Sequence, residues 1–291
     1  MLRPTFSLIV PTRGRPEKLR TFLDSITRTA RHPDRIEVVL VMDEDDAASH
    51  AVEQPRLKLV RTIGAAGRTM GELNRAGYAA ASGDFIMLLN DDVIVRTRGW
   101  DAIAAKQFRR FPDPFVLVHV NDLLISHHLC VFPLVSRAFC ELDGGICPPD
   151  YRRYRIDDHI EDPFNMLAHL GVRRTVYLPD VIFEHTNAAT HVNGQGVYQS
   201  DPVILAEDAR RFEELLGERK ELALRMLGAI DGTADIAVAR RSLLAITDSF
   251  ALRTVARQRM VRSAFWKRMQ HRFRQEGMRG LVRSIKQRFM A

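Results

Sequence analysis

Asp84-Phe-Ile-Met-Leu-Leu-Asn-Asp-Asp92 is the stretch whose reading decides the fold. Five apolar residues in a row, Phe85 to Leu89, read as a short strand buried on both faces, the pattern of a central strand in a mostly parallel sheet. The run breaks abruptly into Asn90, Asp91 and Asp92. In open α/β sheets ligands bind in the crevice beyond the carboxyl ends of the strands. Two adjacent carboxylates placed there beside an apolar core are costly unless something compensates their charge. A divalent cation shared with substrate phosphates would do so, because Mg²⁺ takes one or two carboxylates together with phosphate oxygens. The plain alternative is a solvated turn after a strand, which an Asp-Asp pair alone does not exclude.

Outward from this stretch the same pattern repeats. Phe6–Val10 reads as a strand ending at Pro11-Thr-Arg-Gly-Arg-Pro16, before a helix with Leu19, Phe22, Leu23 and Ile26 on one face. Glu37–Met42 reads as a second strand, stopping at Asp43-Glu-Asp-Asp46, and Leu57–Val60 as a third. Ile63 to Arg68 reads as a glycine-containing turn, followed by a helix with Met70, Leu73, Ala76, Gly77 and Ala80 at helical spacing. Strands alternating with helices imply an α/β fold with a mostly parallel sheet and right-handed crossovers. Further on, Trp100–Phe111 reads as a helix, and Phe115–Val120 and Cys130–Val135 as strands. Ser136 reads as the N-cap of a short helix stopping at Gly144-Gly145. Asp162-Pro163 has the form of a cap and first-turn proline, opening a helix to Leu170. Arg174–Leu178 is a strand leading into Pro179-Asp-Val-Ile-Phe-Glu-His185; residues 186–200 read as a loop, and helices follow from Pro202.

At 291 residues the chain is long enough for one large α/β domain with an appendage. No apolar run reaches the ~18 residues of a membrane span, and the N-terminus has no signal-peptide build. The three cysteines, Cys130, Cys140 and Cys147, form no CxxC pair, which fits a reduced, cytoplasmic protein. The formal charge of +7 is unevenly spread: residues 253–291 hold 12 Lys/Arg against Glu276 alone, a balance of +11 that leaves −4 for residues 1–252. Within this basic segment Val261, Phe265, Met269 and Phe273 recur every fourth residue. A basic amphipathic helix of that build suits the inner face of an anionic membrane, or packing on the body of the protein. No aromatic interleaving supports nucleic-acid binding.

The order Val10-Pro-Thr-Arg-Gly-Arg15, Val39-Leu-Val-Met-Asp43, Gly64 to Asn74 and Gly83 to Asp92 resembles family 2 glycosyltransferases of the GT-A fold, over roughly residues 5–200. The later Tyr177-Leu-Pro-Asp-Val-Ile-Phe-Glu-His185 resembles that family's closing strand and metal-binding histidine. The resemblance implies a Rossmann-like GT-A catalytic domain over residues 1–200; the helical pattern from Pro202 and the charge distribution add a helical extension over 201–252 and a basic helical tail over 253–291. It implies a hexosyl-type transferase using a nucleotide-sugar donor, a UDP-sugar before a GDP-sugar, with Mn²⁺ or Mg²⁺ and a glycan or lipid-linked acceptor. Pro11, Thr12, Arg15, Asp43, Arg68, Asn90 and Asp91 match donor-binding positions, and Asp92 with His185 the metal site. The sequence departs from the family at Asn90, where Asp is usual. An inverting transfer needs a carboxylate to deprotonate the acceptor hydroxyl. Asp158 and Asp162, both within Arg155-Ile-Asp-Asp-His-Ile-Glu-Asp162, are the two candidates. The rival readings are a sugar nucleotidyltransferase and a catalytically inactive relative that binds a nucleotide or glycan, the latter favoured by Asn90.

Overall fold

The computed structural model describes residues 5–186, 201–248 and 252. The segment 253–291 and nearly all of the 186–200 loop therefore lie outside the described residues. Among the described residues eight strands form a single sheet: β1 (Phe6–Thr12), β2 (Ile36–Asp43), β3 (Lys58–Gly64), β4 (Phe85–Leu88), β5 (Val93–Val95), β6 (Leu117–Asn121), β7 (Leu134–Ser136) and β8 (Thr175–His185). Their order is β3-β2-β1-β4-β7-β6-β8-β5. The first four are mutually parallel, β7 runs antiparallel to β4 and β6, β8 is parallel to β6, and β5 closes the far edge antiparallel to β8. This is the mixed, mostly parallel α/β sheet expected from the sequence.

The helices on its faces are α1 (Pro16–Thr29), the single turn α2 (Ala47–His50), α3 (Met70–Ala80), α4 (Trp100–Phe108), α5 (Arg137–Asp143), α6 (Ile156–His169), α7 (Pro202–Glu214), α8 (Leu216–Ile230) and α9 (Ile236–Leu244). In α1 the predicted stripe is the buried one: Leu19, Phe22, Leu23 and Ile26 are essentially inaccessible. Each such side chain contributes about 1.5–3 kcal/mol of burial free energy, an upper estimate because unfolded chains bury some of the same surface. Helix α3 lies very close to the sheet. A Cβ on Gly77 would stand 2.4 Å from Cγ2 of Ile9 and 2.9 Å from Cγ2 of Val41. Its first turn carries a complete capping box between Thr69 and Glu72. Ser136 caps α5 as expected, accepting from the Phe139 N–H at 3.1 Å. Leu222, Ala223 and Met226 of α8 join the core that also holds Phe139 and Phe164. The three cysteines are buried and none forms a disulfide.

Several elements differ from their expected bounds. The third strand runs to Gly64, so Ile63-Gly64 is ladder and not turn, pairing with Met42 and Asp43. The Trp100 helix stops at Phe108, and the strand expected at Cys130–Val135 is confined to Leu134–Ser136. The largest difference is α6, which begins at Ile156 and carries Pro163 inside it. The Asp162-Pro163 capping signal is outweighed by an apolar stripe, Ile156, Ile160, Phe164 and Leu167, that is buried along its whole length. Pro163 forfeits one helix hydrogen bond, and packing of the helix sustains the rest. Strand β5 was not expected at all.

Candidate active site

The site forms where β1, β2 and β4 end. After β4, the Leu89 N–H still bonds to Ile9 O at 2.9 Å, so Asn90-Asp91-Asp92 leaves the sheet directly beside the end of β1. The chain then enters β5, whose register sets Val93 opposite His185 on β8. Thr186 secures the join, its N–H and hydroxyl donating to Asp92 O at 2.9 and 2.7 Å. Two residues 93 apart in sequence are thus brought side by side: His185 Nε2 is 3.2 Å from Asp92 Oδ1. The Asn90 amide nitrogen lies 3.4 Å from the same imidazole nitrogen.

The two aspartates do different work. Asp91 is fully buried; Oδ2 accepts from the Thr12 hydroxyl at 2.7 Å and Oδ1 lies 2.8 Å from Arg15 Nη2. Burial pushes its carboxyl above the ordinary value, against the opposing pull of Arg15 and Thr12. Burial acts on Asp92 in the same direction, but the hydrogen bond and charge of His185, with Arg15 and Lys18 behind, hold it below the ordinary range. Arg15 Nη1 reaches Asp92 Oδ2 at 3.4 Å, so one guanidinium spans both carboxylates.

At the end of β2, Asp43 is clamped by two arginines. Arg13 forms an ion pair with it and a second with Asp45 at 2.8 Å, and Arg68 Nη2 approaches Asp43 Oδ1 at 3.3 Å. Arg68 also donates to Met42 O and Ala65 O. Its guanidinium lies folded over the ends of β2 and β3.

A cavity of about 420 Å³ opens beside these residues. Pro11, Arg15, Asn90, Asp92 and His185 line one part of it, and Arg153, Tyr154, Arg155, Asp157 and Asp158 another. Its volume lies within the range of small-molecule sites, roughly 300–1,000 Å³. The structure separates the two base candidates. Asp158 sits in the first turn of α6, lines the cavity, and lies 3.0 Å from Arg155 Nη1. Asp162 is one turn further along, 1% exposed, and pairs with Arg219 Nε of α8 at 2.6 Å. Arg153, Tyr154 and Arg155 were not singled out from the sequence. Nor was β5, although Val93-Ile94-Val95 is a β-branched run of the kind that signals a strand.

Among the described residues no group of three or more His, Cys, Asp and Glu side chains forms a ready-made cation site. The donor set nevertheless suits a shared one. Two adjacent ligands of an octahedral ion at ~2.1 Å stand about 3 Å apart, close to the 3.2 Å between Asp92 Oδ1 and His185 Nε2.

A sheet of this order, with a carboxylate–imidazole pair above a cavity at its strand ends, has the architecture of the GT-A fold. Comparison with known proteins agrees. Residues 7–120 match the model for glycosyl transferase family 2. Among solved structures, the mannosyltransferase PcManGT from Pyrobaculum calidifontis, in complex with GDP-Man and Mn²⁺, is 17% identical with a TM-score of 0.50. That alignment covers 88% of this chain and 87% of the other. S. aureus TarS 1-349, in complex with UDP-GlcNAc, is 14% identical with a TM-score of 0.53, covering 98% and 91%. At such identities the likeness is one of fold. No curated protein matches the chain. The resemblance drawn from the sequence is borne out: residues 7–120 match the family 2 model, and the fold is that of the GT-A glycosyltransferases.

Proposed function

We propose that this chain transfers a sugar from a nucleoside diphosphate sugar to an acceptor hydroxyl by inverting single displacement, with Asp158 as general base. The observation that carries this reading is the presence of Asp158 in the same cavity as Asp92 and His185. Thr12, Arg15, Asp43 and the Asn90–Asp92 loop frame the donor end, as GDP-Man and UDP-GlcNAc occupy the two similar structures. A UDP-sugar is the donor we favour. In the transfer, a lone pair of the acceptor oxygen forms the new bond to the anomeric carbon. The bond from that carbon to the diphosphate breaks with its electron pair on the departing nucleoside diphosphate. The acceptor proton passes to the Asp158 carboxylate, whose orientation Arg155 fixes. Asp92 and His185 would hold a divalent cation, Mn²⁺ or Mg²⁺, which when bound neutralises charge on the leaving diphosphate. Asp91 serves the site from beneath by anchoring Thr12 and Arg15.

The test is thermal stabilisation by UDP and GDP with and without Mn²⁺. One nucleotide should stabilise the protein when metal is present, and Asp92→Ala and His185→Ala should each abolish that metal-dependent increment while leaving the melting temperature of the free protein within a few degrees. Absence of stabilisation by any nucleotide–metal pair would sink the reading.

A further inference from the structure

The part of the cavity around Asp158 is formed by a segment whose backbone is hydrogen-bonded from two helices. Asp208 on α7, 1% exposed, sets its carboxylate beneath three consecutive backbone N–H groups. Oδ1 accepts from Arg152 at 2.8 Å, and Oδ2 from Arg153 at 2.9 Å and Tyr154 at 2.7 Å. From the other side α3 grips the same segment: Met70 N–H donates to Arg152 O at 3.0 Å and Gly71 N–H to Tyr151 O at 2.9 Å. The Tyr154 hydroxyl accepts from the Asp201 N–H at 3.2 Å. Arg155 follows in the left-handed region, φ 68°, which residues other than glycine keep only where their surroundings impose it.

This anchoring fixes where the arginines go. Arg152 turns to Glu207 on α7 at 2.6 Å, while Arg153, Tyr154 and Arg155 line the cavity beside Asp158. Because Arg155 touches the Asp158 carboxylate, any hydroxyl that reaches the proposed base does so alongside a guanidinium. At the donor end the arginine is Arg15, which pairs with Asp91 and Asp92, whereas Arg153 and Arg155 stand beside the base candidate in the cavity lining. They also offset Asp157 and Asp158 on the same wall. Without that offset, an anion entering here would meet two carboxylates and the donor's diphosphate. A wall for a neutral polyol needs no such pair of fixed cations, whereas a planar guanidinium fork matches phosphate or carboxylate oxygens two at a time.

We propose that Arg153 and Arg155 recognise an anionic group, a phosphate or carboxylate, that the acceptor carries near the hydroxyl to be glycosylated. This rests on the glycosyltransferase reading, and the experiment separates the two. The full-length protein is titrated with glycerol 3-phosphate, glycerate and glycerol, in the presence and in the absence of saturating nucleotide and Mn²⁺. The three probes share one carbon frame and differ in carrying phosphate, carboxylate or neither, so the anion of choice is read directly. The expected result is binding of at least one anionic probe and none of glycerol at the same concentration. Arg153→Gln should weaken the anion at least tenfold with nucleotide–Mn²⁺ affinity unchanged, and Arg153→Lys should restore part of the loss. Arg155→Gln is the second variant, and should one of the two fail to fold the other carries the test. Equal binding of glycerol and its phosphate overturns the proposal, as does anion binding indifferent to Arg153→Gln. Loss of nucleotide affinity in that variant with anion binding intact also overturns it, because the arginine would then serve the donor. Failure of every nucleotide to bind, with anion binding intact, overturns the glycosyltransferase reading and not the anion site.

Discussion

Replacing Asp162 by Asn separates structure from catalysis, because Asp162 and Asp158 stand one helical turn apart, Asp162 sealed against Arg219 and Asp158 lining the cavity. Asp162 and Arg219 are each 1% exposed, with Oδ2 and Nε 2.6 Å apart. Arg219 also donates to Phe212 O at 2.6 Å and lies 3.6 Å from the centre of the Phe212 ring. The pair thus ties α6 to α8 and to the end of α7. Removing one partner of such a pair leaves an uncompensated buried charge and costs about 3–5 kcal/mol. Asn keeps the shape and one neutral acceptor, so the low end, about 3 kcal/mol, is expected for Asp162→Asn. At about 2–4 °C per kcal/mol for domains of roughly 150–250 residues, the melting temperature should fall by about 6–12 °C. Turnover per folded molecule, measured well below the new midpoint by release of nucleoside diphosphate, should stay near the wild-type value. Asp158→Asn should do the reverse, with melting within a few degrees of wild type and turnover reduced about 10²–10⁴-fold, the usual worth of a general base. Asp162→Asn that melts normally and fails to turn over would refute the assignment and move the base to Asp162.

Two further predictions concern the scaffold. Gly77→Ala should lower the melting temperature even though Ala is the better helix former by about 1 kcal/mol: the added Cβ meets Ile9 and Val41 at 2.4 and 2.9 Å, and overpacking costs about 1–3 kcal/mol. A melting temperature that rises would show that α3 can lift from the sheet. Glu37 accepts hydrogen bonds from Ser7, Lys58 and Ser82, which hold its carboxyl at about 2 although burial, the largest single influence, opposes ionisation. A carboxyl depressed on folding stabilises the native state above its unfolded value near 4.5, and that contribution fades as pH falls toward 2. Glu37→Gln should therefore melt lower than wild type at pH 7 and approach it by pH 3, as read by melting curves across that range. A gap constant with pH would remove Glu37 from the acid response.

What the sequence disclosed was what local pattern controls. Leu19, Phe22, Leu23 and Ile26 declare the buried face of α1, and the apolar run before Asn90 declares a central strand, because one face or one sheet position is enough to demand those residues. Ser136 could be read as a cap because its hydroxyl acts three residues away. What stayed hidden depends on pairings remote in sequence. Strand β5 holds three residues and exists because β8, some 90 residues later, offers an edge; that pairing is what sets Asp92 beside His185. The start of α6 was misplaced because Asp162-Pro163 carries a strong local signal, while the competing stripe from Ile156 acquires its force only when a core exists to receive it. The separation of Asp158 from Asp162 turns on Arg219, a residue of α8 that no spacing within residues 155–162 reveals.

The departure at Asn90 takes on a different weight in the fold than in the sequence. Three consecutive polar residues suggest three groups facing a ligand, but Asp91 is fully buried and both its oxygens are engaged by Thr12 and Arg15. The side chains turned toward the cavity are Asn90, Asp92 and His185, so with an amide at position 90 a single carboxylate, Asp92, supplies the negative charge there. A divalent ion with about six positions to fill would then draw most of its ligands from the donor's diphosphate and from water. On the proposed function, metal and nucleotide therefore bind as a pair, each weakly without the other. Stabilisation by Mn²⁺ and nucleotide together should exceed the sum of their separate effects, and simple additivity would mean that Asp92 and His185 hold the ion unaided.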